Sequence, residues 1–234
     1  MSVPMRCSTP PVRRWKKRWS GCWPLSRRSI FLADDTLAER LWMPFRDAAE
    51  AVFLHGSTPW EVDEAMEEFG FAAGPFEIED RIGLDLAWAR RKAGKGAQDL
   101  PILVRMMELG KLGRKTGAGW YRYPGGNGKV DDPIVADLAL EEAHFHRLER
   151  GDYTPDEIRE RLLVALVSAA RDLQAEGLAA SDIDAVSVEA LGFPADRGGV
   201  LSWAARDPAG VAAMTKTVLD EGKVPLRRVE GQVP

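Results

Sequence analysis

The feature that most constrains this 234-residue chain is a series of identities at a constant offset of 121 residues. Glu39-Arg40-Leu41 returns as Glu160-Arg161-Leu162, Ala48-Ala49 as Ala169-Ala170, Gly56 as Gly177 and Asp63 as Asp184. One inserted residue later, Gly70-Phe71 returns as Gly192-Phe193. An ordered run of matches at one spacing is the mark of a duplicated unit, and such units bury their apolar faces by stacking on one another.

Each copy reads as helical. In the first, Leu37, Leu41, Phe45, Ala48, Val52 and Phe53 recur at three and four residues and predict one buried stripe. Asp35 is placed to cap this helix and Gly56 to end it, with Pro44 removing one hydrogen bond inside it. Thr58-Pro59-Trp60-Glu61 then predicts a capping box, in which Thr58 and Glu61 each satisfy the other's free amide. Residues 71–78 read as a turn, followed by helices over about 79–93 and 99–109. In the second copy, Thr154-Pro155-Asp156-Glu157 repeats the capping box. The helix behind it carries Ile158, Leu162, Leu166, Ala169 and Leu173 on one face, and a short helix opens at Asp182 and stops at Gly192-Phe193. Between the copies, the glycines of residues 110–128 mark a loop and residues 133–150 a charged helical connector.

Charge divides the chain differently. Residues 1–33 carry eight lysines and arginines and no acid, so the other 24 basic residues face all 36 acidic ones, a net of −12. An acidic body argues against a nucleic-acid partner. Trp15, Trp19 and Trp23 recur every four residues within the basic segment. They leave two readings, a membrane- or nucleic-acid-binding arm, or a disordered extension. Ser29–Ala33 is too short for the apolar core of a signal peptide, and no apolar run approaches the roughly 20 residues of a membrane span. Cys7 and Cys22 are the only cysteines and have no metal-ligand spacing. A body without cysteine suits a cytoplasmic location.

Three motifs go further. They are Gly70-Phe71-Ala-Ala-Gly74-Pro75-Phe76 with Asp80 and Ile82-Gly83-Leu84-Asp85; Leu112-Gly113-Arg114-Lys115-Thr116-Gly117-Ala-Gly119-Trp120-Tyr121; and Gly192-Phe193-Pro194-Ala-Asp-Arg197-Gly198-Gly199. With the duplicated helices, they resemble the C-terminal helical region of the 3-hydroxyacyl-CoA dehydrogenase family over about residues 36–210, in tandem copies as in the multifunctional fatty-acid oxidation enzymes. The resemblance implies an all-α fold of two tandem copies of a helical unit like the 6-phosphogluconate dehydrogenase C-terminal domain. The boundaries expected are a basic leader at 1–33, a first domain at 34–125, a linker and charged helix at 126–153, and a second, shorter copy at 154–234.

By the same resemblance, the helical region closes over an acyl-CoA of fatty-acid β-oxidation and makes a subunit or domain interface. A Rossmann domain preceding it binds NAD and supplies the catalytic histidine. Dinucleotide binding needs a glycine-rich turn between a strand and a helix. Gly94-Lys-Gly96 and Gly117-Ala-Gly119 lack the third glycine. This chain alone is therefore expected to bind no cofactor, NAD belonging to the complete enzyme. It is expected to self-associate or to work with a separate Rossmann or hydratase chain. The alternative is a non-catalytic acyl-CoA-binding or oligomerisation module.

The substrate-binding candidates are Phe71, Gly74, Pro75, Phe76, Lys111, Arg114 and Lys115. The basic loop could meet CoA phosphates, or its glycines could serve only the turn before Trp120. Phe71 and Phe76 could be acyl pocket or core. The family's asparagine at the start of the first helix falls on Glu39, a carboxylate that accepts hydrogen bonds where an amide would donate, or that simply faces solvent. His55, His144 and His146 lack the partners of a catalytic base, and no metal constellation is present.

Overall fold

A computed structural model describes residues 36–226 apart from Lys95, Gln98 and Asn127. The basic leader, the cap proposed at Asp35 and the end of the second copy beyond residue 226 lie outside the described residues. The fold is all-α. The helices are α1 (Leu37–His55), α2 (Pro59–Phe69), α3 (Pro75–Ile82), α4 (Leu84–Lys92), α5 (Ile102–Glu108), α6 (Pro133–Phe145), α7 (Pro155–Ala175), α8 (Ala180–Val186), α9 (Val200–Arg206) and α10 (Pro208–Glu221). Two two-residue strands, β1 (Tyr121–Arg122) and β2 (Val130–Asp131), pair antiparallel with Tyr121 opposite Asp131. No described helix is long and apolar enough to cross a membrane.

Both capping boxes form. The Thr58 amide donates to Glu61 Oε2 at 2.8 Å, and the Thr154 amide to Glu157 Oε2 at 2.8 Å. Thr36 caps α1, its hydroxyl accepting from the Glu39 amide at 3.2 Å. The turn expected over 71–78 ends early, because Pro75 already occupies the first turn of α3. The single helix expected over 79–93 divides at Gly83, whose φ of 110° no side-chain-bearing residue adopts readily.

The α1 and α7 helices pack against each other at the centre of the molecule. The α7 helix also meets α2, α8, α9 and α10, while α1 meets α2, α3, α6 and α8. Surrounded in this way, α1 is buried all round rather than along one stripe, and Trp42, Arg46, Asp47 and Glu50 are covered as fully as Leu41. One hydrophobic core runs through both halves. Its crossing point is aromatic. The Phe71 ring stacks on Phe45 at 5.5 Å and meets Phe193, its partner in the repeat, edge-on at 5.6 Å. Such pairs add roughly 0.5–1.5 kcal/mol each beyond burial.

Asp63 and Asp184, which match in the repeat, do the same job. Asp63 accepts the Phe76 and Glu77 amides at 2.9 and 3.0 Å, capping α3 from within α2. Asp184 accepts the Leu201 and Ser202 amides at 2.7 and 3.2 Å, capping α9 from within α8. In each case a glycine, Gly74 or Gly199, lies so close that a β-carbon there would overlap the aspartate.

Candidate functional site

The first two motifs meet at α3, while the third packs against Phe69 and Phe71 at the end of α2. Asp80 accepts the Trp120 amide at 2.9 Å, the Tyr121 amide at 3.0 Å and the Tyr123 hydroxyl at 2.8 Å. Gly113 and Gly119 press against Asp80 from the other side, and neither position has room for a β-carbon. Glu79 accepts the Trp120 indole N–H at 2.8 Å. The glycine-rich segment therefore wraps a buried carboxylate. Burial pushes Asp80 up to about 7, against its three hydrogen bonds and with help from Glu79. Burial likewise pushes Asp63 up to about 7, opposed by Lys129 and by donors that include the Tyr121 hydroxyl at 2.9 Å. Burial beside these carboxylates raises Tyr121 and Tyr123 well above an ordinary phenol.

The substrate-binding candidates separate into two groups. Phe71 and Phe76 are both buried, but in different clusters, Phe71 with Phe45 and Phe193 and Phe76 with Phe53 and Trp120. Gly74 and Pro75 form the start of α3. Lys111 is buried and ion-paired with Asp132, whose other oxygen caps α6 by accepting from Ile134. Arg114 and Lys115 are exposed, Arg114 over the Tyr123 ring at 5.6 Å and Lys115 paired with Asp85. Arg197 of the third motif lies 3.9 Å from the Phe69 ring centroid and donates to the Phe69 carbonyl. Most of the motif residues thus hold the helices together.

Glu39 lies elsewhere, and it does not face solvent. It is 1% exposed, and its carboxylate meets Arg90 Nε at 2.6 Å. The helix it starts is central, so even its first turn is covered. Glu39 lines a cleft of about 480 Å³ between α1 and α7, with Arg40, Asp47, Asp172 and Glu176 among the other walls. Arg40 reaches across to Glu176 at 2.6 Å.

Behind this cleft is a charge cluster that sequence reading missed. Arg46 pairs with Asp47 at 2.8 Å, Glu50 at 2.6 Å and Glu79 at 2.7 Å, and Arg91 pairs with Glu50 at 2.9 Å. Asp47 also accepts the Ala97 amide, and Glu50 the Leu103 amide. Burial alone would lower the Arg46 pKa, but Glu79, Glu50 and Asp47 outweigh it and raise it. Charged residues normally signal surface, so only the i,i+4 spacing of Arg46 and Glu50 hinted at the pair.

The histidines take no part. His55, half-buried at the end of α1, has its pKa lowered by burial and by Lys223 and Arg150. His144 and His146 are exposed on α6 and beside its end. Nor do the described residues fit NAD. Gly94 and Gly96 lie in the α4–α5 loop, and Gly117 and Gly119 follow a 3₁₀ turn; neither pair joins a parallel strand to a helix.

Residues 37–123 match the family model described as 3-hydroxyacyl-CoA dehydrogenase, C-terminal domain. The chain belongs to this family. It is 34% identical over 189 residues to the peroxisomal bifunctional enzymes of Homo sapiens and Pongo abelii, covering 72% of this chain and 26% of either relative. The chain thus spans about a quarter of the length of these relatives. A glyoxysomal fatty acid β-oxidation multifunctional protein of Brassica napus is 28% identical over 179 residues, 70% of this chain and 24% of that protein. Among solved structures, the dehydrogenase part of multifunctional enzyme 1 from C. elegans superposes with a TM-score of 0.58 at 21% identity, over 69% of this chain and 37% of that one. The 3-hydroxybutyryl-CoA dehydrogenase of Escherichia coli gives 0.57 at 17%, over 80% and 56%. These two likenesses speak for the fold. The cytoplasmic location expected from cysteine usage is corrected by the relatives, which are peroxisomal or glyoxysomal by name.

Proposed function

We propose that this chain is the C-terminal helical part of an NAD-dependent (S)-3-hydroxyacyl-CoA dehydrogenase of peroxisomal β-oxidation, contributing acyl-CoA binding and a subunit interface. The observation that carries the reading is the 34% identity over 189 residues, which extends well past the matched domain at 37–123. The nucleotide-binding part and the catalytic base come from another segment, whether of a longer polypeptide or of a separate Rossmann chain. The two helical halves are tandem copies of one unit, a reading supported by the like-for-like capping by Asp63 and Asp184. Arg114 and Lys115, the exposed cations of the glycine-rich loop, would meet the CoA phosphates. Phe71 and Phe76 serve the core.

Glu39 favours a second reading, a non-catalytic acyl-CoA-binding or oligomerisation module. Its carboxylate is held by Arg90 and has no amide N–H to offer a thioester carbonyl. Calorimetry on the full chain tests both readings against an independent enzyme. A 3-hydroxyacyl-CoA should bind and NAD should not. NAD binding by the chain alone, or oxidation of the thioester without a partner, would overturn the proposal.

A further inference from the structure

The sequence offset is 121 residues at Asp63 and Asp184 but 122 at Gly70 and Gly192, so one extra residue lies between Asp184 and Gly192. In the first half, this stretch ends α2 as a regular helix. The Gly70 and Phe71 amides both donate to the Met66 carbonyl, at 3.2 and 3.1 Å. Ser187 stands 121 residues beyond Met66, and both are buried. Its carbonyl accepts the matching pair of donors, the Gly192 amide and the Phe193 amide, the latter at 3.0 Å. Acceptor and donors correspond, yet four residues separate Ser187 from Gly192 where three separate Met66 from Gly70. The extra residue is held in a π turn, Ser187–Leu191, that continues α8.

An added residue in an α-helix turns everything beyond it by about 100° and advances it by about 1.5 Å. Here the motif beyond the turn stays packed on the first half. Phe193 meets Phe71 at 5.6 Å and Phe69 at 5.7 Å, and Arg197 lies 3.9 Å from the Phe69 ring centroid. A π turn takes up one residue in this way because its hydrogen bond spans five residues instead of four. Ser187 anchors the turn at its start. Its hydroxyl donates to the Asp184 carbonyl at 2.8 Å and accepts the amide of Val200, the first residue of α9, at 3.1 Å. In the first half Pro75 opens α3 and has no amide to satisfy, so an apolar methionine serves at the matching position.

We infer that the π turn Ser187–Leu191 is a one-residue insertion in the second copy, absorbed without displacing the Gly192–Gly199 motif. The inference rests on the tandem-copy reading proposed above and goes beyond it by giving the extra residue a place and a conformation. The fold should therefore not need that residue.

Deleting the exposed Glu189 from the full chain tests this. The shortened helix should close as α2 does, with the Gly192 amide donating to the Ser187 carbonyl four residues back. Its melting temperature should stay within about 4 °C of the parent. Deleting the exposed Glu64 from the regular part of α2 is the control, and should lower it by more than about 10 °C or leave the chain unfolded. A crystal structure of the chain lacking Glu189 reads the register, and Phe193 should still meet Phe71. The inference is overturned if the chain lacking Glu189 does not fold, if the two deletions cost the same, or if Phe193 leaves Phe71. No ligand enters this experiment, so its failure leaves the acyl-CoA reading standing. A chain that melts as expected yet binds no acyl-CoA would sink that reading alone.

Discussion

Asp80 shows how a motif that reads as a ligand loop can be a folding device. Its carboxylate takes two backbone amides and a phenol from the segment after the glycines, and Gly113 and Gly119 have no side chain because Asp80 fills the space. Gly119→Ala should push the carboxylate off its donors and cost at least about 3 kcal/mol in a urea melt, since each orphaned buried group costs roughly 1–3. Gly117→Ala is the control. It has open space and a φ of 77°, so only backbone strain of about 1–2 kcal/mol is expected. Equal effects at the two positions would refute the packing account. Asp63 and Asp80 also predict a pH dependence. Both are raised to about 7 from an unfolded value near 4, so the folded chain holds their protons more tightly. Their contribution is full below about pH 4 and is lost as pH rises towards 7. The thermal unfolding temperature should therefore fall between about pH 4 and 7, less steeply in Asp80→Asn. The sequence exposed both aspartates, one in the repeat and one in a motif, but not their role, because a carboxylate that faces backbone amides leaves no periodic trace.

At the scale of elements, what was legible is what local chemistry decides. Both Thr-Pro-x-Glu boxes start helices where they stand, because the cap, the proline and the glutamate act within four residues. The surroundings of α1 were not legible. Its apolar stripe was visible, but its polar side is buried too, and Arg46, Asp47 and Glu50 there meet Glu79 and Arg91 from other elements. Tertiary neighbours set that outcome, and periodicity carries no information about them. Arg46→Ala leaves three buried carboxylates short of a cation and should cost about 3–5 kcal/mol. Arg40→Ala, which removes the solvent-exposed pair with Glu176, should cost under about 1 kcal/mol. Paired denaturation curves check the contrast, and a cheap Arg46 substitution would contradict it.

For the whole molecule, the two halves join through α1, α7 and the Phe71–Phe193 contact, so the chain folds around one continuous core. That core explains why a region of about a quarter of its relatives' length keeps their helical architecture. Family membership was legible because most residues of its motifs have a steric or hydrogen-bonding duty, as Gly113, Gly119, Asp80 and Phe193 do. The location was not, since cysteine count reports redox environment and cannot separate one reducing compartment from another. Glu39 is where architecture and chemistry part. It occupies the start of α1 as a buried ion pair, compatible with folding and short of a donor.

The most direct test mixes the full chain with the part of the human relative that lies outside the matched region and follows NADH formation from a 3-hydroxyacyl-CoA. The account predicts no turnover from either part alone, measurable turnover from the mixture, and a rise of tenfold or more with Glu39→Asn, the scale of one gained hydrogen bond at about 1.4 kcal/mol. A mixture no more active than its parts, with both Glu39 and Asn at that position, would contradict it.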